Sequence, residues 1–185
     1  MKKAFILIDY SVDFIADDGA LTTGKAGQAL EQDILNYAKE FVDNGDYFVV
    51  AMDDHVKGDK YHPETKLFPP HNLHKTPGQA LYGSIKEYYD EVSDRDNVFF
   101  TYKTRYSAFA GTTLDQKLRE RGIKDIYLAG VCTDICIVHT AVDAYNLGYT
   151  IHVAESCVAS FNQAGHEWAL NHFESSLGAQ VIRKQ

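Results

Sequence analysis

The stretch Ile126-Tyr-Leu-Ala-Gly-Val-Cys-Thr-Asp-Ile-Cys-Ile-Val-His-Thr-Ala141 decides how the rest of the chain is read. It opens with a short apolar run, Ile126 to Ala129, suited to a buried strand. It breaks at Gly130. Thr133 or Asp134 then stands where a helix is capped, with Ile135, Val138, Val142 and Tyr145 following at helical spacing. Cys136 falls in the first turn of that helix, where backbone N–H groups lack intrahelical partners and the dipole favours negative charge. Both effects lower a thiol's pKa, so a strand, a tight turn and a cysteine at a helix start form a nucleophile site. Most free cysteines are instead buried structural ones. On this stretch alone the two readings weigh equally.

Outward from it, strands and helices alternate. Ala4 to Ile8, Tyr47 to Met52, Asn97 to Tyr102, Tyr149 to Ala154 and Gln180 to Ile182 read as further strands. Gln28 to Asn44, Thr112 to Arg121 and His166 to Leu177 carry apolar residues at helical spacing, stopped by Gly45, Gly122 and Gly178, and Ile85 to Val92 is a shorter helix. This alternation predicts an α/β fold: three layers, doubly wound, with a mostly parallel six-stranded sheet and helices on both faces. No linker or repeat interrupts it, so residues 1–185 are expected to form a single domain.

Composition narrows the function. With 18 basic against 26 acidic residues the formal charge is −8, which argues against nucleic acid as a partner. No apolar run approaches the ~20 residues that cross a bilayer, and Ala4 to Ile8 is too short for a signal peptide. Three cysteines, Cys132, Cys136 and Cys157, are too few and odd in number for a disulfide framework and fit a reducing cytoplasm.

In sheets of this kind ligands bind beyond the carboxyl ends of strands. Asp9, Asp53, Lys103 and Cys136 all lie at or just past such ends. Cys136 can attack an acyl carbon, Asp9 can take its proton and return it to a leaving nitrogen, and Lys103 can favour both anionic partners. Singly, Asp9 as a loop cap and Lys103 as a surface lysine are the commoner fates. Jointly with Cys136 they point to catalysis.

A second group lies in the polar segment Asp54 to Pro77, which holds all four prolines and four of the eight histidines. Loops this long inside a compact domain are usually functional or disordered. Asp53 and His55 are two apart on an extended strand end and point the same way. With His62, Glu64, His71 and His74 downstream they form a mixed oxygen and nitrogen donor set suited to zinc, iron or manganese rather than calcium. Phe14, Phe68 and Tyr106 each follow a reactive segment closely and are expected to wall a flat apolar pocket, although core packing is the usual fate of such residues.

These segments together resemble the nicotinamidase branch of the isochorismatase-like cysteine hydrolases. The resemblance covers essentially the whole chain. It rests on Ile6-Leu-Ile-Asp9 with Asp13-Phe14, on Asp53-x-His55 with a later Pro-His71, on Lys103, and on Gly130-Val-Cys-Thr-Asp-Ile-Cys136. It implies Asp9, Lys103 and Cys136 as catalytic residues, and the backbone N–H groups of Cys132 and Cys136 as the oxyanion site. It also implies a cis peptide at Val131–Cys132 and a metal at Asp53, His55 and His71. For the fourth ligand we choose Glu64 over His62. The implied cofactor is one divalent ion, zinc first, with iron or manganese as alternatives. The implied substrate is nicotinamide, converted to nicotinate and ammonia through a cysteine thioester for NAD salvage, with pyrazinamide as a second substrate and a homo-oligomer as the assembly.

Two positions depart from the family pattern. Ser11 stands where Gln or Asn is frequent, and Asp54-His55-Val56 replaces a frequent Trp-His-Pro. Both are expected to alter pocket shape. Two rival readings are a metal-independent amidohydrolase on a ureido or carbamoyl substrate, and a thiol redox protein using Cys132 and Cys136. The four-residue spacing of those cysteines disfavours the redox reading.

Overall fold

The computed structural model describes residues 2–183. Its elements in chain order are β1 (Lys3–Ile8), α1 (Val12–Ile15), α2 (Lys25–Gln28), α3 (Glu31–Asp43), β2 (Tyr47–Asp53), α4 (Gly83–Val92), β3 (Val98–Lys103), α5 (Leu114–Glu120), β4 (Asp125–Val131), α6 (Val138–Asn146), β5 (Thr150–Ala159), α7 (Gln163–Leu177) and β6 (Gln180–Ile182). The six strands lie in the order β3-β2-β1-β4-β5-β6, and every adjacent pair is parallel. The three-layer α/β expectation is borne out, with a sheet that is wholly rather than mostly parallel.

Alternation along β1 builds two cores. Ala4, Ile6 and Ile8 face a cluster with Leu114 and Leu118 of α5, Ala141 of α6 and Phe173 of α7. Phe5 and Leu7 face the opposite cluster, with Ile34, Ala38 and Phe41 of α3 and Ile85 of α4. Both faces of the sheet are therefore covered, which is why its inner strands read as unbroken apolar runs rather than alternating ones. The chain winds outward in both directions from β1 and β4, so the crevice between their carboxyl ends is the topological switch point.

Four local expectations are corrected. β4 does not break at Gly130 but runs through it to Val131. Gly130 has φ +113°, and a Cβ there would lie 1.9 Å from the carbonyl oxygen of Ile8, so glycine is required by close approach of two strands. Neither Thr133 nor Asp134 caps the following helix. Residues Thr133–Ile137 form a wide π-type turn before α6, and those two side chains bond elsewhere. β5 continues past Ala154 to Ala159, because a register shift between Leu128 and Gly130 lets its pairing with β4 resume at Val158. α7 begins at Gln163 rather than His166, capped by Asn162, whose side chain accepts from the Gly165 N–H.

Candidate active site

The parallel register brings the reactive strand ends together. Asp53 and Lys103 are direct partners across β2 and β3. Asp9 follows β1 in a left-handed conformation, φ +56°, that non-glycine residues adopt uncommonly. Its Oδ1 accepts the Asp53 N–H at 2.8 Å, and its Oδ2 lies 2.7 Å from Lys103 Nζ. The same ammonium sits 2.5 Å from Asp53 Oδ1, donates to the Arg105 carbonyl at 3.1 Å, and lies 3.8 Å from Cys136 Sγ. Lys103 is only 1% exposed and both aspartates are fully buried. A carboxylate oxygen from each aspartate and the Cys136 sulfur all fall within 4.8 Å of one another.

Burial sets the protonation of this group. It raises the Asp9 carboxyl to about 7, with repulsion from Asp53 adding to it and Lys103 opposing. Burial would lower Lys103, but the two aspartates hold it well above the ordinary lysine value, so the ammonium is permanent. The Cys136 thiol is pushed well above its usual range by burial, with Lys103 opposing and Asp9 and Asp53 adding to the rise. The expectation of a resting thiolate is therefore corrected. The proton stays on sulfur until a base removes it, and Asp9 is the adjacent base. Cys132 is also pushed up, to about 12, by burial.

The second group converges from the loop after β2. One donor atom each from Asp53, His55, Glu64 and His71 lies within 4.8 Å of the others, and all four residues are buried. His55 Nδ1 faces the His71 carbonyl at 3.1 Å, and His71 Nδ1 faces the Pro69 carbonyl at 2.8 Å. A carbonyl only accepts, so both Nδ1 atoms carry the proton and both Nε2 lone pairs point inward. Those Nε2 atoms and Asp53 Oδ2 are buried without a hydrogen-bond partner. The nearest Glu64 oxygens are 3.7 Å from His55 Nε2 and 3.5 Å from His71 Nε2, long for hydrogen bonds. Unpaired buried polar atoms are costly, and this set fits a divalent cation. Asp53 belongs to both groups, with one oxygen toward Lys103 and the other toward the metal position. His62 stands outside the four. Its ring is 4.6 Å from that of His55, and its Nε2 meets the Thr104 carbonyl.

A small cavity lies between the two groups. Asp53, Glu64 and His71 line it on one side and Cys132 and Cys136 on the other, with Phe14, Phe68 and Tyr106 among its walls. Phe14 stands edge-on to His71 at 5.2 Å. Leu21, Ile135 and Phe161 complete it, and these the sequence reading missed. Phe161 offered no usable signal, since it stands two residues past a strand end, Ala159, that the apolar pattern placed at Ala154. Leu21 and Ile135 offered none beyond being apolar. The departures from the family pattern do not reach the cavity. Ser11 Oγ bonds Asn72 Oδ1 at 2.7 Å, and Asp54 Oδ1 bonds His74 and Gln79 at 2.6 Å each. They brace the loop instead, together with Asp13, whose Oδ2 accepts the Asn72 N–H beside His71. The Val131–Cys132 peptide is cis.

With this geometry in place, comparison with known proteins assigns the class. The isochorismatase domain matches residues 3–185, and the chain belongs to the isochorismatase family. Among curated proteins it is 59% identical to an uncharacterized isochorismatase family protein, PncA, of Bacillus subtilis, over 98% of this chain and 99% of that one. Among solved structures it is similar to the nicotinamidase/pyrazinamidase PncA from Bacillus subtilis, at 54% identity and TM-score 0.96, over 98% of this chain and 100% of that one. It is also similar to the pyrazinamidase of Pyrococcus horikoshii in complex with zinc, at 26% identity and TM-score 0.85, each chain fully covered. The resemblance drawn from the motifs is borne out.

Proposed function

We propose that this chain is a nicotinamidase, hydrolysing nicotinamide to nicotinate and ammonia, with pyrazinamide as a second substrate. One observation carries the reading: a single small cavity is lined both by Cys136 and by three of the four residues of the metal group. A flat ligand with a carboxamide at one end and a ring nitrogen at the other meets both. The similarity to nicotinamidase structures supports the same choice.

The chemistry follows from the protonation states. Asp9 takes the Cys136 proton as sulfur bonds to the carboxamide carbon, so the neutral thiol needs no separate activation. The backbone N–H groups of Cys132 and Cys136 would hold the oxyanion. Asp9 returns its proton to the departing nitrogen, ammonia leaves, and a thioester remains. Water then gives a proton to Asp9 and attacks the thioester carbon, and Cys136 leaves as thiolate and recovers that proton. An acid near 7 suits this exchange in both directions. Lys103 keeps the negative charge that shuttles between Asp9 and sulfur compensated throughout. Asp53, His55, Glu64 and His71 would hold one divalent ion, zinc by preference, which supplies a Lewis-acid contact for the ring nitrogen. The similar zinc-containing pyrazinamidase supports that preference.

The absence of a disulfide among the described residues supports a reducing cytoplasm, and no helix among them is long and apolar enough to cross a membrane. A single domain, a homo-oligomer and a role in NAD salvage complete the reading.

The test is ammonia release from nicotinamide, pyrazinamide and benzamide with zinc present. The first two should be turned over. Benzamide lacks the ring nitrogen and should be far poorer, because it leaves the metal position unpaired. Background rates on nicotinamide with turnover of a ureido or carbamoyl compound would replace this reading with the metal-independent hydrolase.

A further inference from the structure

His62 stands beside the metal group without joining it, and its ring makes two directional bonds. Its Nε2 lies 2.8 Å from the carbonyl oxygen of Thr104, so that nitrogen must carry the proton and donate. Nδ1 is then a bare acceptor, and it takes the backbone N–H of Glu64 at 3.3 Å. His62 thereby caps the short 3-10 turn Pro63–Lys66 that carries Glu64. The rest of the turn is tied down by Thr65 Oγ1 to Asp59 O at 2.6 Å and by the Phe68 N–H to Glu64 O at 3.0 Å. Thr104 directly follows Lys103 at the end of β3. One imidazole therefore joins the turn bearing a metal-facing carboxylate to the strand bearing the buried ammonium.

We infer that His62 is a positioning residue for Glu64: it clasps the Glu64 turn to the end of β3 and sets where that carboxylate stands against His55 and His71. The inference rests on the proposed metal role of Glu64. Its physical basis is preorganisation. A carboxylate on a mobile loop pays its ordering cost when the ion binds, whereas a capped and clasped turn has met that cost in folding. Partners of this outer kind are worth roughly 10–100-fold in metal affinity.

The experiment measures zinc affinity of the full chain by competition with a chromophoric chelator, for wild type, His62→Ala, His62→Asn and Glu64→Ala. Nitrogen NMR of the histidine rings is recorded with and without zinc. His62→Ala should bind zinc about tenfold more weakly. Asparagine keeps a capping acceptor for the Glu64 N–H but is too short to reach the Thr104 carbonyl as well, so His62→Asn should fall between wild type and His62→Ala. The His62 ring should keep its Nε2 proton when zinc is added, while His55 and His71 shift. Unchanged affinity in His62→Ala, an Asn variant equal to either wild type or the Ala variant, or a zinc-induced shift on His62 would each overturn the inference. Full zinc affinity in Glu64→Ala would instead remove the metal role on which it rests, which keeps the two failures apart.

Discussion

Lys103→Met removes the one charge that lets two carboxylates share a dry site, and its consequences can be worked from the geometry. Methionine matches the length of the stem but leaves Asp9 and Asp53 facing one another, both fully buried. Stripping one partner from a buried ion pair costs about 3–5 kcal/mol. The carboxylates can relieve part of this by binding a proton. Asp9 already sits at about 7 with Lys103 lowering it, so without the ammonium it titrates higher. A carboxyl whose folded pKa lies above its unfolded value contributes stability below the unfolded value and loses it as pH rises through the folded one. The destabilisation should therefore be small near about pH 5 and approach about 3–5 kcal/mol near about pH 8. Turnover should fall by roughly 10²–10⁴-fold at neutral pH, because Asp9 is then protonated and no longer a base. Urea unfolding of metal-free protein across this pH range, paired with ammonia release, checks both. A loss of stability below about 1 kcal/mol that does not change with pH would show that Lys103 is not compensating buried charge.

Further outcomes follow from the same geometry. Cys136→Ala should abolish ammonia release and leave the fold and metal content intact, while Cys132→Ala should keep most activity because only its backbone N–H is used; equal losses in the two would undo the assignment of the nucleophile. Chelation should weaken nicotinamide binding and turnover while Cys136 still reacts with a small alkylating agent, which mass spectrometry of the labelled peptide would show. The acid limb of kcat/KM should fall near the Asp9 value of about 7, since the base must be ionised to accept the thiol proton. A flat profile down to about pH 5 would remove Asp9 from that role.

Much of the architecture was legible because its cause is local. Apolar runs closed by Asp9, Asp53 and Lys103 mark strand ends whatever surrounds them, and the alternation with helical spacing leaves a parallel sheet as the economical arrangement. The same runs put the reactive side chains on one rim. The mixed oxygen and nitrogen donors of the segment that holds Asp53, His55, Glu64 and His71 could be read from residue types, but not whether Glu64 or His62 joins the other three.

What remained depends on groups far apart in the chain. The cysteine at the helix start suggested a thiolate, because dipole and capping effects act over one turn. The structure reverses this, because Cys136 is buried by residues from distant strands, and burial with the carboxylates of Asp9 and Asp53 outweighs Lys103. The inward lone pairs of His55 and His71 are chosen by the carbonyls of His71 and Pro69, which only the folded loop brings to their Nδ1 atoms. Gly130 read as a break, yet its role is set by the carbonyl of Ile8 on a strand more than a hundred residues earlier. The extension of β5 hid behind Glu155 and Ser156, because a register shift is a property of two strands and not of one. Residue types and their periodicity determined which chemistry this protein carries. Only tertiary structure decided where the protons rest, since protonation answers to burial and to neighbours that the chain order does not reveal.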